Sequence, residues 1–126
     1  MTIMQHTEKL QVETRPGPAS DIVVLKLTGS LTLGSCYEVQ DQLRADPAKC
    51  LILDMTDVGY VDSSGIGCLV NGFIAHHMAG GRMLLAGVNK RLRETLEETR
   101  VQQFFSTFAT VAQAEKEVGK TTVSGR

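Results

Sequence analysis

Residues 50–78, CLILDMTDVGYVDSSGIGCLVNGFIAHHM, decide the fold, because within them an apolar strand gives way to a polar corner and then to a helix. Leu51, Ile52 and Leu53 form an unbroken apolar run that stops at Asp54, the pattern of a strand covered on both faces. Past the corner Asp62-Ser63-Ser64-Gly65 the period lengthens. Ile66, Leu69, Val70, Phe73 and His77 or Met78 recur at helical spacing, so one helix face is expected to turn back onto the sheet. Asp62, Ser63 and Ser64 are residue types that start helices, since their oxygens accept from amides that lack an intrahelical partner. A hydroxyl therefore stands at a helix N-terminus. Gly65 and Gly67 follow within the first turn or so, where each glycine costs about 1 kcal/mol relative to alanine. Two readings fit them: close packing of helix on strand, or close approach by a partner or a phosphate.

Outward from this segment, the rest of the chain alternates in the same way. Residues 10–14 and 22–27 are strand candidates separated by Arg15-Pro16-Gly17-Pro18, which supplies turn chemistry, so a β-hairpin is expected to open the domain. Thr28-Gly29-Ser30 is expected to end the second strand. A helix over 35–45 stops at Asp46-Pro47, and the strand over 50–55 leads to a stretch that Gly59 is expected to turn. The central helix should close at Ala79-Gly80-Gly81, where glycine permits positive φ. A buried strand over 82–88 follows, then a helix capped by Asn89 with Leu92 and Leu96 on one side. Residues 101–105 read as a short strand or extended segment. Phe104, Phe105 and Phe108 read as core, and residues 110–118 as a last amphipathic helix. Strands alternating with helices after a hairpin imply an α/β domain with a mixed sheet, its later strands parallel and joined by right-handed crossover helices.

A chain of 126 residues fits one domain, here residues 1–118, with a polar and flexible tail over 119–126. Thirteen Lys and Arg against fourteen Asp and Glu give a net charge of -1 without a basic block, which disfavours nucleic acid as a partner. No apolar run approaches the roughly 20 residues that span a bilayer, and MTIMQHTEKL has no apolar export core, so a cytoplasmic protein is expected. Cys36, Cys50 and Cys68 are odd in number and far apart, which argues for packed thiols rather than disulfides or a thiolate metal site. His76 and His77 are adjacent and splay by about 100° on a helix, so they do not face one ion together. No metal or cofactor is expected.

Asp62-Ser63-Ser64-Gly65-Ile66-Gly67, between an apolar strand and an amphipathic helix, resembles the signature of the STAS domain, and most closely that of bacterial anti-sigma factor antagonists. The element order resembles the STAS fold along essentially the whole chain, more weakly over Leu92, Leu96, Val101, Phe105 and Ala114. The resemblance implies a protein with no catalytic activity of its own. Its unphosphorylated form would bind an anti-sigma factor, often itself a serine kinase, and free a sigma factor; phosphorylation would end the binding. Carried over residue by residue, Ser63 is the phosphorylation site. Asp62 and Ser64 are its immediate setting, and Gly65, Ile66 and Gly67 complete the partner-binding corner. Phosphorylated antagonists usually carry G-E-L-D after the second strand, where an acidic pair is thought to shape the site recognised by the kinase. This chain has Gly29-Ser30-Leu31-Thr32. The resemblance also admits a non-switching STAS scaffold in a stress-signalling assembly, or a soluble subunit of a lipid transporter.

A strand, a sharp turn, a serine and a helix also describe a nucleophile elbow. That motif needs G-x-S-x-G, whereas Tyr60 or Val61 stands where its first glycine belongs. His6, His76 and His77 are the only candidates for a base, and two of them lie several turns along the helix that Ser63 begins. Gly119-Lys120-Thr121 lacks the first glycine of a phosphate loop, Ala114 standing there, and Gly65-x-Gly67 with Val70 at the third position is not a dinucleotide fingerprint.

Overall fold

The computed structural model describes residues 10–19, 21–45 and 50–125. Five strands form one sheet in the order β1 (Gln11–Pro16), β2 (Ile22–Leu31), β3 (Cys50–Val61), β4 (Arg82–Ala86) and β5 (Ser106–Phe108). The expected hairpin is present: β1 pairs antiparallel with β2, and every later pairing is parallel. Four α-helices complete the fold, α1 (Cys36–Ala45), α2 (Ser63–Met78), α3 (Lys90–Glu98) and α4 (Val111–Gly125).

Alternation along the strands sorts the core into two layers. Leu25, Leu27, Leu51, Leu53, Met83 and Leu85 point to one face, where α1, α2 and α3 cover them with Val39, Leu43, Ile66, Leu69, Leu92 and Leu96. Ile22, Val24, Cys50, Ile52, Leu84 and Ala86 point to the other, covered by Ala114 and Val118 of α4. Three crossovers on one face are what right-handed connections give when each new strand is added on the same side of the last. With both faces covered, β3 reads as the continuous apolar run that its sequence showed.

Several boundaries differ from the sequence expectation. β1 extends through Arg15-Pro16, since an edge strand tolerates a residue with no amide hydrogen. β2 does not end at Thr28-Gly29-Ser30. Gly29 adopts φ 116°, a conformation few other residues accept, and shifts in the register between Lys26 and Thr28 and between Gly29 and Ser30 carry the strand on to Leu31. That extension supplies β3 with a partner as far as Val61, so Gly59 lies within a strand and turns nothing. β4 stops at Ala86. Gln102–Phe104 forms a 3-10 turn rather than a strand, and the strand comes later, at Ser106–Phe108. Phe105 is buried and Phe108 half-buried, but Phe104 is 40% exposed and is not core. The helix expected over 110–118 continues to Gly125. The expected stop at Asp46-Pro47 lies outside the described residues; α1 is described to Ala45.

Candidate functional site

Asp62 is the hinge between strand and helix. Its backbone is extended (φ -96°, ψ -175°) and its Oδ1 accepts a hydrogen bond from the Gly65 amide at 2.9 Å, capping α2. Its Oδ2 accepts from the Leu33 amide at 3.3 Å, and its own amide donates to the Leu31 carbonyl at 3.2 Å. One residue thus ties the start of α2 to the end of β2 and to the loop that follows it. That loop is closed by Ser35, whose hydroxyl donates to the Ser30 carbonyl at 2.8 Å and accepts from the Thr32 amide at 3.0 Å. Ser30 is buried and Thr32 half-buried. Where the antagonist pattern has an acidic pair, this chain therefore builds the rim from backbone groups and hydroxyls.

The six residues of the corner divide by environment. Ser63 is exposed, and its hydroxyl makes no hydrogen bond to the described residues, so Asp62 and not Ser63 carries the cap. Ser64 is half-buried. Gly65 and Ile66 face inward: a Cβ on Gly65 would collide with the Leu31 carbonyl oxygen and lie 2.9 Å from Val61 Cγ1, and Ile66 is part of the core. Gly67 is exposed, with nothing within 4 Å of the place its Cβ would take. Close packing thus accounts for Gly65, while Gly67 leaves open space. The surface of the motif is Asp62, Ser63, Ser64 and Gly67. Beside it Leu33 and Tyr37 are 60% and 68% exposed. The sequence reading missed the Leu33 amide and the Ser35 clasp, because neither has a signature beyond a serine before a helix.

Further along α2 the inward face is shifted from the expected one. His76, not His77, is buried, and its Nε2 donates to the Leu43 carbonyl at 3.2 Å. His77 is exposed and stacks on Phe73 with ring centroids 5.8 Å apart, while Met78 is 79% exposed. The helix ends at Met78 with Ala79 as its C-cap, and Gly80 takes φ 85° as its position required. Asp57 pairs with Lys26 at 3.1 Å, which raises the lysine pKa. All three cysteines are free and buried, and burial pushes the Cys50 and Cys68 thiols up to about 11. Among the described residues no cluster of three or more His, Cys, Asp or Glu gathers, and no helix is long and apolar enough to cross a membrane. Two depressions lie on the helical side of the described residues. One of about 20 Å³, room for about one water, lies between the end of β3 and α3, where the Arg91 guanidinium sits 5.6 Å from the centre of the Tyr60 ring. The other, about 260 Å³, lies between α1 and α2 and is lined by Gln40, Leu43, Asn71, Gly72 and Ala75.

A mixed-sheet α/β domain whose central strand runs through a capped Asp-Ser-Ser-Gly corner into its central helix defines a narrow class. The STAS domain model matches residues 9–114, and the chain belongs to the STAS domain family. Among solved structures, an anti-sigma factor antagonist from Mycobacterium paratuberculosis is 15% identical with a TM-score of 0.75, the match covering 87% of this chain and 94% of that one. The anti-sigma factor antagonist SpoIIAA of Bacillus, known in unphosphorylated and phosphorylated forms, is 20% and 18% identical in the two structures, each with a TM-score of 0.65. Those matches cover 86% of this chain and 96% and 98% of SpoIIAA. A sulfate transporter family protein from Wolinella succinogenes is 20% identical with a TM-score of 0.68, over 82% of this chain and 88% of its own. At these identities the likeness is one of fold.

Proposed function

We propose that this protein is an anti-sigma factor antagonist without catalytic activity of its own, acting in the cytoplasm, whose binding is switched off by phosphorylation of Ser63. The partner is an anti-sigma factor of the serine kinase type, which docks on the corner while Ser63 is neutral. One observation carries this reading: Ser63 is exposed at the first turn of α2 with an unengaged hydroxyl, because Asp62 already holds the cap. The hydroxyl can be modified without dismantling the corner. A phosphate there adds a charge of about -1.5 to -2 beside the positive end of α2, which the host helix favours by about 0.3–1 kcal/mol. A partner packed on the neutral corner meets a desolvated charge next to Asp62; a loss of about 3 kcal/mol weakens its binding by more than a hundredfold. A local charge change thus switches an interface without refolding.

The test is titration of the kinase-type partner, recovered by pull-down, against wild type, Ser63→Ala and Ser63→Asp, with intact mass measured after incubation with ATP. Ser63→Ala should bind and resist inactivation. Ser63→Asp should bind at least a few-fold more weakly with its fold intact, since a carboxylate has about half the charge of a phosphate. Equal affinities for all three, with no phosphate on the wild type, would sink the switch. That result would favour a non-switching scaffold or transport-complex module, the reading to which Gly29-Ser30-Leu31-Thr32 and the likeness to a sulfate transporter family protein point.

A further inference from the structure

The tip of the loop between β2 and α1 hangs on little. Thr32 is well fixed: its amide donates to Ser35 Oγ at 3.0 Å, and its carbonyl accepts from the Ser35 and Cys36 amides at 3.0 and 2.8 Å. Leu33, the next residue, is not. Its amide donates to Asp62 Oδ2 at 3.3 Å, and its carbonyl meets the Cys36 thiol at 3.5 Å, a weak donor at long range. Its side chain is 60% exposed, and Gly34 beyond it is exposed too, so packing does little to hold this tip in place.

We infer that a charge placed on Ser63 is relayed through Asp62 to Leu33: the carboxylate gives up the Leu33 amide, and the tip of the loop comes loose. The two arms of Asp62 are unequal. Oδ1 accepts from the Gly65 amide at 2.9 Å in a part-buried setting, whereas Oδ2 reaches the Leu33 amide at 3.3 Å in an exposed one. A phosphate on the adjacent residue is favoured by the positive end of α2 and repels the carboxylate beside it. The carboxylate relieves that repulsion by turning about its Oδ1 arm, so the longer and wetter bond is the one lost. The rest of the corner stays. The Asp62 amide keeps the Leu31 carbonyl, the Ile66 amide keeps the Asp62 carbonyl, and the Ser35 hydroxyl keeps the Ser30 carbonyl. For its use in the cell the relay rests on the proposed switch: a partner seated on the corner loses a fixed apolar contact at Leu33 in the same event that brings it a charge. The relay itself needs no partner.

Amide NMR of the isotope-labelled chain tests this, with phosphoserine placed at position 63 during synthesis by stop-codon suppression so that no kinase is involved. Phosphoserine should move the Leu33 amide proton upfield and speed its exchange about fivefold, the effect of losing one modest hydrogen bond, while the Gly65 amide stays protected. Asp62→Asn is the control. Its side-chain oxygen caps α2 as before, Asn and Asp being equivalent caps, but its side-chain nitrogen cannot accept from Leu33. In that variant Leu33 should already be released, and phosphoserine should then change its exchange by less than about twofold. The dispersion of the same spectra checks each fold; should Asp62→Asn not fold, Asp62→Ser, another strong cap with a single oxygen, takes its place. A Leu33 amide equally protected with and without phosphoserine, a Gly65 amide released before it, or a downfield shift showing that the phosphate itself has taken the Leu33 amide would each overturn the relay. So would an equal effect of phosphoserine in Asp62→Asn and in wild type. Failure of the switch leaves a different mark, with Ser63→Ala and Ser63→Asp binding the kinase-type partner alike whatever the Leu33 amide does.

Discussion

Asp62 engages both carboxylate oxygens on backbone amides, one in α2 and one at Leu33, while its neighbour Ser63 engages nothing among the described residues. Substituting each in turn should therefore separate structure from signal. Asp62→Ala removes a cap and is expected to destabilise by about 0.5–2 kcal/mol. Ser63→Ala should stay within about 0.5 kcal/mol of wild type, as exposed substitutions do. Urea melts of the two variants check this, and a Ser63→Ala loss as large as that of Asp62→Ala would make the hydroxyl structural. At the same scale, Cys50 and Cys68 link stability to alkaline pH. Burial raises both thiols from 9.0 to about 11, with nearby Arg82 partly opposing the rise at Cys50. A raised folded pKa means the unfolded chain loses its protons first. The stabilisation is complete below pH 9.0 and is lost as pH climbs toward about 11. Denaturant midpoints should fall across that window, and Cys50→Ala and Cys68→Ala should each flatten the fall.

Between strand and helix, Gly65 and Gly67 look equivalent in sequence and behave oppositely in the fold. Gly65→Ala drives a methyl into the Leu31 carbonyl and the Val61 side chain, where backbone must give way, and should destabilise by about 1–3 kcal/mol. Gly67→Ala meets no atom and removes a helix penalty, so it should stabilise by up to about 1 kcal/mol. Thermal melts that moved the same way for both would contradict the packing described. The strand-corner-helix unit was legible because its apolar period changes at Asp62, and the cap types there have a local role. The lengths of β2 and β3 were not legible. Gly29 and Gly59 read locally as turn residues, yet the two strands stay paired through two register shifts as far as Leu31 and Val61. β5 was misplaced because three residues at a sheet edge, two of them exposed, leave no pattern to read. The inward side of α2 came out one position off at His76, where a carbonyl on α1 satisfies a ring that sequence alone would leave in water.

Across the whole molecule, the two-sided sheet concentrates stability in β3. Leu53 is fully buried beneath the helical layer, and Leu53→Ala should cost about 2–5 kcal/mol in denaturant melts. Amide exchange should be slowest at Leu51, Ile52 and Leu53, which pair with β2 on one side and β4 on the other. Exchange there as fast as at exposed Gly34 in the loop after β2 would mean that the core is elsewhere. The spatial order of the strands repeats their order in the chain, from β1 at one edge to β5 at the other. During synthesis each strand thus emerges with its neighbour already made, and none waits for a later one to fill a gap. The helical layer is likewise laid down crossover by crossover. The opposite face is different: Ile22, Val24, Cys50, Ile52, Leu84 and Ala86 have their cover only when Ala114 and Val118 arrive with α4. A nascent chain that has built four strands therefore still shows one bare apolar face, and α4, emerging after them, is the helix that ends its exposure to aggregation.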